Sequence, residues 1–315
     1  MKINQQFIID DTLNGLRFDQ ASTQLLSDFS RSRIQAWINE GKILLNERPQ
    51  PTKYKVSTGE TITVNVIQAS NDEWLPQPVP IHIVYEDDSL LVIDKPAGLV
   101  VHPAAGNPDK TLINGLLYHD PELAKLPRAG LIHRLDKDTS GLLVIAKTLS
   151  AHTDLVKKLQ DREVTRKYQA LVYGRLTGGG KVDAAMGRHA HNRLKMAVRE
   201  NGKPAITHYR ILTRFSHFTL LDVQLETGRT HQIRVHMSHI NHPIVGDPLY
   251  SRKIFPKGID PALKEVLSHW KRQALHAYEL ALHHPVTQDI MRFESPLPSD
   301  FFNLLESIKT YCGTL

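Results

Sequence analysis

Apolar runs alternate with charged, turn-forming segments along this chain, and the clearest boundary between the two lies near residue 141. The run Leu142–Ala146 is purely apolar and is bounded by Gly141 and Lys147, which predicts a short buried strand. Residues 133–141 instead combine charged side chains with Thr, Ser and Gly. A polar segment that leads into a buried strand is one way in which a scaffold presents reactive groups, although a loop whose charges are merely solvated fits the same pattern.

The N-terminal part of the chain predicts a small unit of two helices and several strands. The predicted elements are a strand or tail at 1–13, a helix at Leu16–Ser27, a helix that begins at Ser30 or Ser32 and ends at Gly41, and strands at Lys42–Asn46 and Thr61–Val66. Three prolines between residues 76 and 80 oppose both helix and central strand. We therefore predict a linker at 67–80 that separates a domain at 1–75 from a domain at 81–315.

The second domain is predicted to contain more strands than helices. Strands are predicted at Ile81–Tyr85, Leu90–Asp94, Leu99–Val101, Leu142–Ala146, Lys167–Tyr173, Thr207–Thr213, Phe218–Leu225 and Leu275–Leu282. Helices are predicted from Thr111, at Ala151–Gln160, near His231, at Ala262–Trp270 and at Phe301–Ile308, and a basic loop at Gly178–Val198. Because many strands are joined by short turns, we predict an α+β fold with a mixed, largely antiparallel central sheet flanked by helices, plus a small N-terminal α/β domain.

Length and composition narrow the class of protein. The chain has 315 residues and 41% hydrophobic residues, enough for two domains with sizeable cores. We find neither a run of 18 apolar residues nor an apolar signal core, so we expect no membrane span and no secretion. Cys312 is the only cysteine, which excludes a disulfide framework and a cysteine-based zinc site within one chain. A reducing, cytoplasmic location and a monomeric state are expected.

The net charge of +6 and the pI of about 9.2 favour a polyanionic partner, RNA or DNA before a membrane surface. In the N-terminal domain, Arg31 and Arg33 fall in the first turn of a predicted helix, where positive charge opposes the helix macrodipole. Contact with phosphate would explain these two arginines, and Lys42 follows at the end of the same helix. A structural domain with a solvated basic face is the alternative.

Several kinds of chemistry are disfavoured by the motifs. The histidines do not form a His-Glu-x-x-His pattern, the Gly-Gly-Gly-Lys segment at 178–181 is followed by Val182 where a phosphate loop needs Ser or Thr, and no Gly-x-Ser-x-Gly occurs. Cys312 is expected in a frayed tail. What remains is Asp136 among arginines. An arginine partner favours the ionised carboxylate, which can act as nucleophile or base, although such pairs more often only hold a fold together.

Four motifs carry a close resemblance to a known family. Residues 133–142, with the sequence His-Arg-Leu-Asp-Lys-Asp-Thr-Ser-Gly-Leu, resemble the signature of the RluA-type RNA pseudouridine synthases. The other matching segments are Leu91–Gly98 with Val101–Pro103, Lys167-Tyr168, and Gly228–His236 with Gly246-Asp247. Pro256–Gly258 and Arg272–Ala277 look most like the large-subunit ribosomal RNA synthase D branch, and the N-terminal domain resembles the alpha-L RNA-binding module. Ser140 departs from the threonine of many relatives.

The resemblance implies isomerisation of uridine to pseudouridine in ribosomal RNA, on the pseudouridine synthase fold, without cofactor or metal. It implies that Asp136, Tyr168 and Arg234 are catalytic, with Arg234 as the ion-pair partner of Asp136 and Arg229 in reserve. Substrate would be bound by Arg134, Arg229, Ile233 and His133, and RNA by Arg31, Arg33 and Lys42. Two alternatives remain open: a transfer RNA synthase of the same family, and a non-catalytic RNA-binding factor in ribosome assembly. Which atom Asp136 attacks is also open.

Overall fold

A computed structural model describes residues 2–26, 31–67, 74–103, 106–192, 194–251 and 255–315. The chain divides into two compact units, Met1–Glu73 and Trp74–Leu315. The predicted linker at 67–80 overlaps this division, and its residues 68–73 lie outside the described ranges. Within those ranges, no helix is both long enough and apolar enough to cross a membrane.

The first unit packs two helices against a small antiparallel sheet. Its elements are β1 (Lys2–Ile8), α1 (Phe18–Leu25), α2 (Arg31–Asn39), β2 (Ile43–Leu45) and β3 (Thr61–Ile67). The strands lie in the order β1-β3-β2. Phe18 of α1, Ile34 and Ile38 of α2, and Ile62 and Val64 of β3 are fully buried and share one core. The apolar faces of the two helices thus pack against the alternate side chains of β3 that point toward the core.

Buried Asp19 gives Arg31 a structural role that the sequence did not suggest. The Asp19 carboxylate is fully buried and accepts hydrogen bonds from Arg17, from Arg31 at 2.8 Å and from Gln35 at 2.6 Å. Burial alone would raise the pKa of Asp19, but the hydrogen bonds from Arg31 and Gln35 lower it overall. The position of Arg31 at the start of α2 is therefore explained by this ion pair. About half of the Arg31 side chain stays exposed, so its predicted contact with RNA remains untested.

Of the other two residues predicted to bind RNA, only Lys42 has a side chain in the described part of the structure. The Arg33 side chain lies outside the described part of the structure. Lys42 lies just after α2 and pairs with Glu40 at 2.6 Å, with both side chains about half exposed. A surface pair of this kind contributes little to stability and leaves Lys42 available to a partner.

The second unit is built on a large mixed sheet. Its strands are β4 (His82–Glu86), β5 (Leu90–Lys95), β6 (Ser140–Ala146), β7 (Thr165–Tyr173), β8 (Gly180–Asp183), β9 (Met186–Arg188), β10 (Met196–Val198), β11 (Ile206–Arg214), β12 (Phe218–Leu225), β13 (Leu275–His283) and β14 (Ile290–Glu294). Its helices are α3 (Leu112–His119), α4 (Leu149–Gln160), α5 (Gln232–His239), α6 (Pro261–His269) and α7 (Ser299–Cys312), with short 3₁₀ turns at Pro121–Lys125 and Pro127–Gly130.

The strand order is β4-β5-β6-β13-β7-β12-β11-β8, with β14 beside β13 and a separate β9–β10 ribbon. Among the described strands only β6 and β13 pair in parallel. The predicted α+β architecture with a mixed, largely antiparallel sheet is confirmed. Strand β6 is buried along its whole length because its side chains enter two cores, Leu142 and Val144 on one face and Leu143 and Ile145 on the other. A strand covered on both faces reads as a continuous apolar run.

Two sequence predictions in this unit are wrong for a physical reason. Residues 99–101 form no strand, because the carbonyl oxygens of Val100 and Val101 instead accept hydrogen bonds from the first N–H groups of α3. The segment Gly178–Val198 is not simply a basic loop, since it contains β8, β9 and β10. These short strands carry many charged residues and few buried ones, so they show no apolar pattern. In β8, for example, only Val182 is buried.

Two further differences lie near the C-terminus. The edge strand β14 is not predicted from the sequence. None of its side chains is fully buried, so it lacks an apolar pattern. Helix α7 extends to Cys312, whose carbonyl oxygen accepts a hydrogen bond of 2.7 Å from Ser216. The expected frayed tail at Cys312 is therefore wrong.

A row of residues across three strands positions the polar segment that precedes β6. Gly141 pairs with Ala277 of β13, and Ala277 pairs in turn with Tyr168 of β7. At ~4.8 Å per strand, Tyr168 lies roughly 10 Å from Gly141 across the small side chain of Ala277. Gly141 has φ of +114°, and a Cβ there would lie 2.2 Å from the Ala277 oxygen. Only glycine fits this junction without strain.

The substitution Gly141→Ala is expected to destabilise the protein strongly. Backbone strain of about 1–3 kcal/mol and a steric clash of about 1–3 kcal/mol together predict a loss of roughly 2–6 kcal/mol in the free energy of unfolding. Urea denaturation followed by circular dichroism measures it. Gly178→Ala is the control, because a Cβ there meets no atom within 4 Å. Equal stability of the two variants would contradict the assigned role of Gly141.

Candidate active site

The polar segment before β6 forms one wall of a cavity of about 400 Å³, a volume typical of small-ligand sites. The other walls come from β7 and from the turn that leads into α5. The side chains that matter for its chemistry are those of His133, Arg134, Asp136, Arg166, Tyr168 and Ile233. Three segments that are distant in sequence therefore meet at one cavity.

The ion pair expected between Asp136 and Arg234 is present. Arg234 Nη1 donates to Asp136 Oδ2 at 2.9 Å, and Arg234 is 4% exposed while the Asp136 side chain is 15% exposed. Arg229, the reserve partner, lies at the exposed rim of the cavity, where its Nε donates to the Pro204 carbonyl. The structure thus brings Arg234 and not Arg229 to the carboxylate.

Asp247 is a member of this site whose role could not be predicted from its motif. Its carboxylate is fully buried and accepts two hydrogen bonds from Arg234, 2.7 Å to Nε and 2.9 Å to Nη2. Asp247 Oδ1 also accepts from the backbone N–H groups of Leu249 and Tyr250. Burial by itself would lower the pKa of Arg234, but the hydrogen bond and charge of Asp247, then the charge of Asp136, raise it. The Gly246-Asp247 motif was a signal, yet spacing alone did not show what Asp247 contacts.

His231 lies beside the pair without joining it. It precedes α5 in the left-handed conformation, with φ of +59°, and its Nδ1 lies 2.7 Å from the hydroxyl oxygen of Tyr250. Its Nε2 is 3.9 Å from Asp136 Oδ1, too far for a hydrogen bond. Burial lowers the pKa of His231, so the ring is neutral near pH 7 and adds no charge to the site.

Gln232 fixes the turn that carries Arg229 and His231, and it was also missed. Its side-chain oxygen accepts from Thr227 Oγ1 and from the Arg229 N–H, and its nitrogen donates to the Ile206 carbonyl and to Thr207 Oγ1. The amide is 2% exposed and fully paired. Such a satisfied buried network rigidifies the segment that aims Arg234 at the cavity.

Tyr168 and Ile233 both line the cavity and are 5% and 4% exposed. Burial raises the pKa of Tyr168, the positive charge of Arg166 opposes the shift, and the negative charge of Asp136 adds to it. The phenol is therefore protonated near pH 7. Its hydroxyl has no hydrogen-bond partner among the residues that the structure describes.

His133 and Arg134 occupy different depths of the same wall. The Arg134 side chain is exposed at the mouth of the cavity. His133 Nε2 accepts a hydrogen bond from the Val144 N–H at 3.3 Å, which assigns the ring proton to Nδ1. Burial, with a smaller contribution from the charge of Arg166, lowers the pKa of His133 to about 3, so the ring is neutral.

Lys95 anchors the segment that carries Asp136. The side chain is fully buried, and its ammonium donates to the carbonyl oxygens of Pro96, Leu99 and Lys137 at 2.8, 3.0 and 2.9 Å. Burial lowers the pKa of Lys95 to about 7, although the charges of Asp138 and Asp136 oppose the shift. The Leu91–Gly98 motif thus holds the main chain next to Asp136, a role that the sequence resemblance did not specify.

Within the described residues, no group of three or more His, Cys, Asp or Glu side chains could hold a metal ion. The carboxylates of this site are bound by Arg234 and by backbone N–H groups. The arrangement therefore presents one carboxylate, held by an arginine, in a cavity that is also lined by a tyrosine, an isoleucine and several arginines.

Residues 89–239 match the model of the RNA pseudouridylate synthase family. The chain is 50% identical over 306 residues to the ribosomal large subunit pseudouridine synthase D of Xanthomonas campestris, which covers 97% of this chain and 92% of the relative. It is 52% identical over 298 residues to the protein of the same name from Pseudomonas aeruginosa, which covers 94% of this chain and 93% of the relative.

The fold gives the same result. The solved structure of human RNA pseudouridylate synthase domain containing 1 superposes with a TM-score of 0.57 at 26% identity, covering 76% of this chain and 90% of that chain. Asp136, Tyr168 and Arg234 all lie within the segment matched by the family. By sequence and by fold, this chain belongs to the RNA pseudouridylate synthase family.

Proposed function

We propose that this enzyme isomerises uridines of large-subunit ribosomal RNA to pseudouridine, with Asp136 as the acting carboxylate. The RNA target is supported by relatives that are about 50% identical over most of both chains and carry that substrate in their names. The net charge of +6 suits a polyanion. A transfer RNA substrate has no comparable support.

The geometry of Asp136 is the observation that carries the catalytic proposal. One oxygen, Oδ2, is fixed by Arg234, while Oδ1 has no hydrogen-bond partner among the described residues, and Asp136 lines the cavity. Arg234 is itself fixed by Asp247, so the carboxylate is oriented and its charge is paired with a buried guanidinium. A non-catalytic RNA-binding factor would not need an oriented carboxylate with one free oxygen in a nucleotide-sized cavity.

The reaction requires no redox change. The N1–C1′ bond of uridine breaks, the uracil turns, a C5–C1′ bond forms, the C5 proton leaves and N1 gains a proton. Asp136 Oδ1 acts at the ribose or the base: attack at C1′, attack at C6 and removal of the C2′ proton all use an oriented, ionised carboxylate. The target base must first leave its stack, which costs a few kcal/mol.

Tyr168 and Ile233 are suited to hold the base on its two faces, since aromatic rings stack on exposed bases. Burial raises the pKa of Tyr168. Its phenol is protonated at rest, so it takes the C5 proton only after giving up its own. Arg134, exposed at the cavity mouth, is placed to fill the space that the flipped base leaves and to hold phosphate. His133 and Arg229 complete the proposed substrate contacts.

We further propose that the first unit binds structured RNA through its basic side chains, among them Arg31, Arg33 and Lys42, as an alpha-L module would. Its helices and sheet have their own core, and Lys42 remains partly exposed. A ribosomal RNA substrate and a single cysteine favour a reducing, cytoplasmic location, and a monomer stays our expectation for the oligomeric state.

Asp136→Asn is expected to abolish tritium release from RNA that contains C5-tritiated uridine, because the amide cannot act as base or nucleophile. RNA affinity should stay within a few-fold, since the shape of the cavity is kept. Asp88→Asn is the control: this exposed carboxylate lies in the turn between β4 and β5 and makes no hydrogen bond with a described side chain, and turnover should persist. Retained turnover in Asp136→Asn would refute the mechanism.

Asp247→Asn should impair catalysis through Arg234. The variant leaves a buried guanidinium with one carboxylate, which predicts a loss of about 3–5 kcal/mol in stability. Misplacement of Asp136 by ~1 Å predicts a fall of about 10²-fold in kcat with a smaller change in KM. Steady-state kinetics and urea denaturation give both values. Asp183→Asn, which breaks only an exposed pair with Lys181, should change neither. A change in KM alone would exclude this positioning role.

The double variant Arg33→Gln and Lys42→Gln tests the first unit. If both side chains contact phosphate, the slope of log affinity against log salt should become shallower by about 0.7–0.9 for each lost contact. Turnover at saturating RNA should stay unchanged. The control is Lys309→Gln, a half-exposed lysine of α7. An unaltered salt slope in the double variant would remove the support for RNA binding by these side chains.

A further inference from the structure

Arg166 is a buried charge beside the reacting groups for which the described residues supply no hydrogen-bond or ion-pair partner. It lies on β7 and is 5% exposed, and its Nε makes no hydrogen bond. No ion pair or hydrogen bond to its guanidinium is found among the described residues. Arg234, buried to a similar degree, is held by two carboxylates. An arginine is not deprotonated in proteins, so the guanidinium of Arg166 is charged although it has little contact with solvent.

The surroundings of Arg166 are shaped to admit it. A Cβ at Gly228 would lie 2.7 Å from Arg166 Nη1, so the absence of a side chain at 228 leaves room for the guanidinium. Residues 166 and 168 are both buried on one face of β7, while 165 and 167 are only partly buried on the other. Arg166 and Tyr168 both line the cavity and lie about 7 Å apart along the strand. This is within reach of a single nucleotide.

A second unpaired donor lies on the same cavity. His133 Nδ1 is buried and has no hydrogen-bond partner in the described part of the chain, and the ring proton is assigned to this atom because Nε2 accepts from Val144. Both His133 and Arg166 line this cavity, and the charge of Arg166 contributes to the lowered pKa of His133. Two unsatisfied donors, one of them charged, indicate that the ligand supplies oxygen acceptors at this point.

The charge balance of the cavity favours an anionic acceptor. The negative charge of Asp136 is already paired with Arg234, while Arg128, Arg134 and Arg229 add positive charge to the walls. A neutral uracil carbonyl would leave the buried guanidinium uncompensated, whereas a phosphate oxygen would compensate it. Arginine also matches phosphate geometrically, through its planar fork of donors.

We propose that Arg166, assisted by His133 Nδ1–H, binds a backbone phosphate oxygen of the RNA next to the target uridine. Arg166 is then a substrate-binding residue that couples the position of the backbone to the stacking of the base on Tyr168. In the free enzyme its charge is held at a cost to stability. This inference rests on the proposed function, since RNA is the ligand.

The test uses Arg166→Met, which keeps the apolar stem of the side chain and removes the charge. Affinity for a transcript of large-subunit ribosomal RNA should fall at least about tenfold, the effect of one lost charged hydrogen bond. The slope of log affinity against log salt should become shallower by about 0.7–0.9. The melting temperature of the free protein should rise, because a buried unpaired charge has gone. Arg166→Lys should keep the salt slope while losing part of the affinity.

The control is Arg292→Met, which removes an arginine that is 58% exposed and paired with Glu279 and Glu294 on the same sheet. It should change neither affinity nor salt slope. A lower melting temperature in Arg166→Met would show a structural role and overturn the proposal. Weaker binding with an unchanged salt slope would point to a base carbonyl and also overturn it.

These binding measurements do not depend on turnover. If the wild-type chain bound the transcript but released no tritium from it, the proposed function would fail. The loss of salt slope in Arg166→Met would still decide whether Arg166 contacts phosphate.

Discussion

The orientation of the Asp136 carboxylate depends on one buried arginine held between two aspartates. Arg234 donates hydrogen bonds from Nε and Nη2 to Asp247 and from Nη1 to Asp136. A guanidinium is planar, so fixing one edge on Asp247 also fixes the direction in which the remaining N–H group points. Asp247 is in turn held by the backbone of its own turn. The carboxylate is therefore oriented by a chain of contacts that ends in main-chain atoms.

The sequence predicted much of the fold because the apolar spacing was strong where burial is strong. Strand β6 was recognised since both of its faces are covered, and helix α3 since Thr111 precedes its apolar face. The errors fall where that signal is weak: β14 has no fully buried side chain, and the carbonyl oxygens of Val100 and Val101 accept hydrogen bonds from the first turn of a helix. Hydrogen-bond partners of this kind are decided by tertiary structure and leave no periodic trace.

The site shows the same limit. Asp136 and Arg234 could be paired from their motifs, because charge complementarity and family resemblance agreed. Asp247 and Lys95 lie in motifs that carry the family resemblance, yet what they contact depends on which segments the sheet brings together. Arg31 shows the opposite case, in which a placement that suggested RNA contact also has an internal partner in Asp19. Sequence patterns name the residue types of a site more readily than they name the contacts.

The three hydrogen bonds of Lys95 have a consequence for how this loop can change during evolution. The ammonium donates hydrogen bonds to main-chain carbonyl oxygens, which every residue possesses, and one of these oxygens belongs to exposed Lys137. Replacement of the side chain at 137 therefore leaves this hydrogen bond intact. The main chain beside Asp136 therefore keeps its position when the exposed side chain at 137 is replaced, so the orientation of the carboxylate is insensitive to the residue type at that position.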